Sequence, residues 1–194
     1  DSVRSSLKTN DTSDKNRLNA REAEHESGET GMKALKQRTI LVNIPYKDQW
    51  FVPGQESYLT TLFKDAGGEI LGAKAGSSVS GQISVEAAYS LSKEADLWMN
   101  VGWCRTLEQL LSVNPLFEDF LMNIQENATA RSRSDKDSTD AAHVVWNDNK
   151  RLNAKGGNDF WESGVVRPDI LLHDLVGIFS RNEGFTPVYY QEIK

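Results

Sequence analysis

"TILVNIP", residues Thr39 to Pro45, decides how the rest of the chain is read. A strand with one face in water alternates apolar and polar residues, and this run does not alternate, so it reads as a strand buried on both faces. Such strands belong to parallel sheets covered by helices, and helical patterns should separate it from further strands. "SYLTTLFKDAGG" predicts a helix with Ser57 near its N-cap, Leu59, Leu62 and Phe63 on one side, and Gly67 as a left-handed terminator. "SVEAAYSLSKEA" predicts a second helix capped by Ser84, and "DLWMNV", Asp96 to Val101, the next strand. Thr106 and Gln109 have capping-box spacing at the start of "TLEQLLSVN", which stops before Pro115.

"HVVWN", His143 to Asn147, reads as a short strand. Pro168 opens a helix in its favoured first turn, with Ile170, Leu171, Leu175, Ile178 and Phe179 at helical spacing, and "PVYYQEI" closes as a strand. The expected architecture is an α/β domain over residues 39–194, a three-layer α/β/α sandwich with a mainly parallel, Rossmann-like sheet. Residues 1–38 are charged or small, with Gly28 and Gly31 interrupting helical register, and suit a linker better than a core. Residues 123–142, including "NATARSRSDKDSTDAA", are polar and are expected to form a mobile surface insertion.

The composition sets bounds on function. The chain has 194 residues, 38% of them hydrophobic, and a mean hydropathy of -0.53, which fits one domain with a real core. Its formal charge is -6 and no basic run alternates with aromatics, which argues against a nucleic-acid surface. No apolar run approaches the roughly 20 residues needed to cross a bilayer, and "DSVRSSLKTNDTSDK" lacks the apolar stretch of a signal peptide. The single cysteine, Cys104, cannot close an intramolecular disulfide and leaves the redox compartment open.

Ligands of open α/β sheets sit outside the carboxyl ends of the strands, so the loops that leave those ends matter most. Of five tryptophans, Trp98 and Trp146 fall within expected strands and read as core. Trp50, Trp103 and Trp161 each follow a strand, with Phe51 and Phe160 beside them and Lys47, Lys150, Arg151 and Asp159 nearby. An aromatic wall with a few polar groups is the composition of a ligand cleft, and loops that fold back on aromatic anchors are the alternative. Gly156 and Gly157 before this last loop and Pro168 after it hold it at both ends.

Several sharper chemistries fail. "GSSVSGQI" has phosphate-loop glycine spacing, but Gln82 and Ile83 stand where Lys and Ser or Thr are required. Cys104 has no histidine beside it in sequence, because His25, His143 and His173 fall in a linker, a strand and a helix. These histidines show no metal-ligand spacing either. The residues alone point to no catalytic group, no metal site and no cofactor.

Three stretches, "YKDQWFVPGQESYLTTLFKDAGGEI", "ISVEAAYSLSKEADLWMNVGWC" and "NDFWESGVVRPDILLHDL", resemble the carboxyl-terminal lobe of periplasmic substrate-binding proteins of ABC importers for iron-siderophores, haem and cobalamin. The resemblance runs from about Thr39 to Glu192. It implies an α/β lobe that binds its ligand against a second, amino-terminal lobe not present here, and residues 1–38 then stand where the interlobe helix would be. It implies ligand contacts from Trp50, Phe51, Trp103, Lys150, Arg151, Asp159, Phe160 and Trp161, with any metal arriving inside a chelate. It also implies that Glu86, at the start of its helix, docks onto arginines of the membrane permease, although the helix dipole alone favours a carboxylate there. The expected location is periplasmic or lipid-anchored at the cell envelope. An α/β enzyme, hydrolase-like and using the same cleft, is the alternative.

Overall fold

The run that opens the sequence argument forms β1 (Arg38–Val42), and Ile40, Leu41 and Val42 are completely buried, as a strand covered on both faces requires. The computed structural model describes residues 37–134, 143–181 and 184–194. After β1 come β2 (Trp50–Val52), α1 (Tyr58–Asp65), β3 (Gly68–Ile70), β4 (Gly81–Ile83), α2 (Val85–Ser92) and β5 (Leu97–Met99). The chain continues through α3 (Leu107–Val113), α4 (Phe117–Ser134), β6 (Val145–Asn147), two 3-10 turns at Asp159–Trp161 and Gly164–Val166, α5 (Pro168–Phe179) and β7 (Gln191–Glu192). The expectation of a linker at residues 1–38 falls, up to residue 36, outside the described residues.

Five strands form one sheet in the order β3-β1-β5-β6-β7. The β1–β3, β1–β5 and β5–β6 pairs are parallel, and only β7 runs antiparallel, against β6. The fold is therefore α/β with a mostly parallel sheet. α1 packs against α5, and α2 and α3 pack against α4. Edge-to-face rings join the helices, Phe63 with Phe179 at 5.7 Å and Tyr89 with Phe120 at 5.5 Å. Among the described residues no helix is long and apolar enough to cross a membrane.

The helix starts follow the side-chain chemistry read from the sequence. Ser57 and Ser84 cap α1 and α2 by accepting the N–H groups of Thr60 and Ala87. Thr106 accepts the N–H of Gln109, whose side chain reaches back to the N–H of Arg105, one residue before the cap. Gly67, with φ +88°, follows α1 in the left-handed region that a residue with a Cβ rarely enters.

Four segments differ from the sequence expectation, and one is the closing stretch "PVYYQEI", of which only Gln191–Glu192 pairs as a strand. The loop after β1 contains β2, which pairs antiparallel with β4 in a separate two-stranded sheet. β3 is a three-residue strand too short to announce itself by pattern. Residues 123–134 are not a mobile insertion but the second part of α4, where Ile124 and Ala128 are buried. Asn127 fastens this helix by donating to the carbonyls of Lys93 at 2.8 Å and Ala95 at 3.1 Å. Arg131 adds an ion pair to the buried Asp96 at 2.7 Å, and Asp96 also accepts the N–H of Thr39. The remainder of the expected insertion, residues 135–142, lies outside the described residues.

The core between β2, β5 and α4 is an aromatic stack. Trp50 lies parallel to Phe120 at 5.6 Å and stacks on Trp98 at 6.0 Å, while Phe117 meets Trp98 edge-on at 5.0 Å. The Trp50 indole N–H donates to the Val42 carbonyl at 2.8 Å, and that of Trp98 donates to the Asn43 carbonyl at 2.7 Å. Replacing Trp50 with Ala removes a fully buried ring and orphans a buried carbonyl, and we expect a loss of about 3–5 kcal/mol in urea unfolding. A loss under about 0.5 kcal/mol, the scale of a surface substitution, would show that the stack does not hold this part of the fold.

Candidate functional site

The chain goes from β1 to β3 on one side and then crosses to β5 on the other, so the strand order reverses between β1 and β5. Crevices at such a reversal are where open α/β sheets take ligands. Three of the four parallel strands end at this edge in asparagine: Asn43 after β1, Asn100 after β5 and Asn147 at the end of β6. Asn43 (φ 69°) and Asn100 (φ 60°) are left-handed, a conformation asparagine tolerates better than most residues, and the chain turns sharply at both. Asn43 donates its side-chain amide to the Phe51 carbonyl at 2.7 Å, which folds the first loop back.

The sequence-predicted wall is divided by the structure. Trp103 and Trp161, on loops that leave the ends of β5 and β6, are each 60% exposed. Trp50 is fully buried in the aromatic stack, so the first loop does not present it to a ligand. The reason is the β2–β4 pairing together with the Val42 carbonyl, which gives the indole N–H a partner inside. Phe51 alternates to the other side of β2 and is half-buried. Phe160 is also a core residue, 1% exposed, with its ring edge-on to Tyr190 at 5.8 Å and Tyr189 at 6.3 Å.

The charged candidates are engaged within the domain. Arg151 pairs with the buried Asp159 at 2.7 Å and lies 5.6 Å from the Tyr189 ring centre. The Lys150 ammonium donates to the Pro187 carbonyl. Lys47 lies over its neighbour Tyr46, in a tight turn closed by the Tyr46–Gln49 bridge.

"NDFW", Asn158 to Trp161, shows how one ring is left outside. Asn158 caps the 3-10 turn by accepting the N–H of Phe160 at 3.0 Å, and its amide donates to Asp148 Oδ1 at 3.0 Å. Asp159 accepts the hydroxyl of Ser163 at 2.6 Å in addition to Arg151. Phe160 plugs the core, and Trp161 points out with its ring centre 5.0 Å from that of Phe160. Before the turn, Asn153 accepts the N–H groups of Lys155 and Gly157, and Gly156 takes φ +81°, so the loop doubles back tightly.

Beneath these loops lies a buried polar cluster that the sequence reading missed. Asp148 is 5% exposed, and burial pushes its carboxyl up to about 6 against the opposing effect of the Asn158 amide. Tyr190 is completely buried, and its hydroxyl is raised well above the usual tyrosine range, first by burial and then by the charges of Asp148 and Asp174. The Asn100 side chain lies beside that hydroxyl and favours its ionised form, yet neither Asn100 Oδ1 nor the Tyr190 oxygen completes a well-formed hydrogen bond. The one signal in the sequence was the asparagine that recurs at strand ends in "LVN", "WMN" and "VWN".

Other candidates are placed as follows. Glu86 is exposed in the first turn of α2, its carboxyl lowered chiefly by the Ser84 hydroxyl. Cys104 is fully buried and burial raises its thiol, the opposite of an activated nucleophile. His143 pairs with Glu192, and His173 lies edge-on to Phe185 at 5.1 Å. His25 lies outside the described residues. Among the described residues no group of three or more His, Cys, Asp or Glu side chains is placed to hold a metal ion.

Asp148 makes the domain's stability depend on pH in a definite direction. A carboxyl raised from 3.8 to about 6 binds its proton more tightly in the folded state, so its stabilising contribution is full below about pH 4 and disappears as pH rises through 6. The loss is about 3 kcal/mol. We expect Asp148→Asn to match the wild type near pH 4 and to exceed it by up to about 3 kcal/mol near pH 7 in urea unfolding. An equal difference at both pH values would show that the carboxyl is ionised without cost. Set against known proteins, the chain matches no family model, no curated protein sequence and no solved structure.

Proposed function

We propose that this chain is the carboxyl-terminal lobe of a two-lobed substrate-binding component of an ABC importer. In this reading it takes a flat or macrocyclic ligand, an iron-siderophore, haem or cobalamin, and delivers it to the membrane permease. The observation that carries the proposal is the pair of tryptophans, Trp103 and Trp161, each 60% exposed on loops that leave one edge of a parallel sheet beside its point of reversal. A fold that buries Trp50 and Trp98 completely has the means to bury large rings, so two left in water at the ligand edge argue for an external cover. The resemblance of "NDFWESGVVRPDILLHDL" to the same lobe of that protein class supports the reading independently of exposure.

The proposal includes a finer architecture, a three-layer α/β/α sandwich with α1 and α5 on one face of the sheet and α2, α3 and α4 on the other. It includes a periplasmic or lipid-anchored location, a binding rather than a catalytic role, and a partner lobe that closes over the tryptophans. Glu86 is the proposed permease contact, since an exposed carboxylate on a capped helix start is rigidly presented and suits an arginine partner.

Titrating the two-lobed protein with haemin, cyanocobalamin and a ferric tris-catecholate, read by tryptophan fluorescence, tests the ligand class. Trp103→Ala and Trp161→Ala should each weaken the probe that binds by roughly 1 to 3 kcal/mol, the scale of covering one large side chain, and leave the melting temperature nearly unchanged. If no probe binds, or if the probe that binds is indifferent to both substitutions, the proposal fails.

Glu86→Gln separates docking from binding. It should leave probe affinity alone and lower permease-stimulated ATP hydrolysis, because rim charges of this kind act on register and association. Undiminished ATP hydrolysis would remove Glu86 from the interface.

A further inference from the structure

The two exposed tryptophans stand on loops tied together by one line of side-chain hydrogen bonds. Asn147, completely buried at the end of β6, donates its amide to the carbonyls of Gly102 at 2.9 Å and Cys104 at 2.7 Å, the residues on either side of Trp103. Its side-chain oxygen accepts the N–H of Asp148 at 3.1 Å. Asp148 Oδ1 accepts the amide of Asn158 at 3.0 Å, and Asn158 in turn accepts the N–H of Phe160 at 3.0 Å, one residue before Trp161. The line therefore begins at the backbone that brackets one exposed ring and ends at the backbone that carries the other.

We propose that Asn147, Asp148 and Asn158 form a positioning relay that fixes Trp161 relative to Trp103, and so sets the size of planar ligand face the edge accepts. The inference rests on the reading of the two tryptophans as a ligand wall and adds three residues that need not touch the ligand. Its physical basis is the placement of the joints. The first is anchored in a strand, the second is 5% exposed, and the third caps the turn, so a shift at either of the first two leaves a buried polar group unpaired. Neighbouring bonds hold the relay from the sides, since Asn149 also donates to the Cys104 carbonyl at 3.0 Å and receives the Gln191 amide at 2.6 Å. The Phe160 ring, set between Tyr189 and Tyr190, gives the turn its pivot, and the Asn158 bond to Asp148 sets the angle about it.

The test uses the full chain labelled with fluorotryptophan, with Trp103 and Trp161 resonances assigned by single Trp→Phe substitutions. Asp148→Ala and Asn158→Ala should move the Trp161 fluorine resonance while leaving that of Trp103 in place, and Asp148→Asn, which keeps an acceptor for Asn158, should restore the wild-type position. A Trp161 resonance that stays put in both alanine variants overturns the relay. So does a common shift of both resonances in all three variants, because that is general loosening. Asn158 is only half-buried, so its variant remains informative if Asp148→Ala does not fold.

A second arm compares haemin with the ferric tris-catecholate. Asn158→Ala should change the ratio of their affinities several-fold, and an unchanged ratio overturns the claim that the relay selects ligand size. If the wild-type two-lobed protein binds neither probe, the ligand reading fails while the resonances still decide whether the relay positions Trp161.

Discussion

Two indole N–H groups on consecutive carbonyls at the end of β1 hold the rest of this structure in place. The chain must leave the sheet there abruptly, because Asn43 is already left-handed and its own N–H is used by Met99 of β5. A buried carbonyl without a partner costs as much as a lost hydrogen bond, and a polar residue inserted to satisfy it would bring its own desolvation cost. Trp50 and Trp98 satisfy Val42 and Asn43 while adding two of the largest apolar surfaces in the chain to the core. Phe117 and Phe120 then bring α4 onto the same stack. The end of β1, the end of β5 and the return of the first loop are consequences of one aromatic cluster.

That dependence explains which parts of the fold were legible. The β1 and β5 runs could be read because every residue of "ILV" and "LWM" is buried, and a pattern without alternation has few other meanings. Ser57, Ser84, Thr106 and Pro168 marked helix starts through local chemistry that needs no tertiary context. β2, β3 and β4 were not legible, because three residues carry no period and their pairing is decided by partners distant in sequence. The second half of α4 misled in the opposite way. "QENATARSRS" has almost no apolar residue, and what places it is Ala128 in the core with Asn127 and Arg131 fastened to the end of α2 and to Asp96.

At the candidate site, the edge was legible and the individual roles were not. By sequence, Trp50, Trp103 and Trp161 are equivalent, each a tryptophan shortly after a strand. Only the antiparallel partner of β2 and the carbonyl of Val42 distinguish the first from the others, and neither is local. Phe160 and Trp161 are adjacent yet opposite in fate, because a 3-10 turn sends successive side chains in different directions. Asp148 drew no notice because an aspartate in "WNDN" reads as an ordinary turn residue, and its burial depends on the loops that close over it.

A surface that binds a flat ligand gains from rings that are already oriented, since each side chain left to be ordered on binding subtracts about 0.5–1.5 kcal/mol from affinity. The "NDFW" turn divides that task among its residues. Asn158 and Asp159 spend their polar groups on the domain, Phe160 spends its ring on the core, and none of the three has much left to offer a ligand. Trp161 makes no polar contact of this kind and keeps most of its surface in water. The anchoring residues and the exposed residue are thus different, so the backbone beneath the exposed ring is fixed without covering the ring itself. The same division holds at "GWC", where the Gly102 and Cys104 carbonyls are held by Asn147 and Cys104 is buried while Trp103 is open. At both turns the backbone around the ring is braced while the ring itself stays exposed.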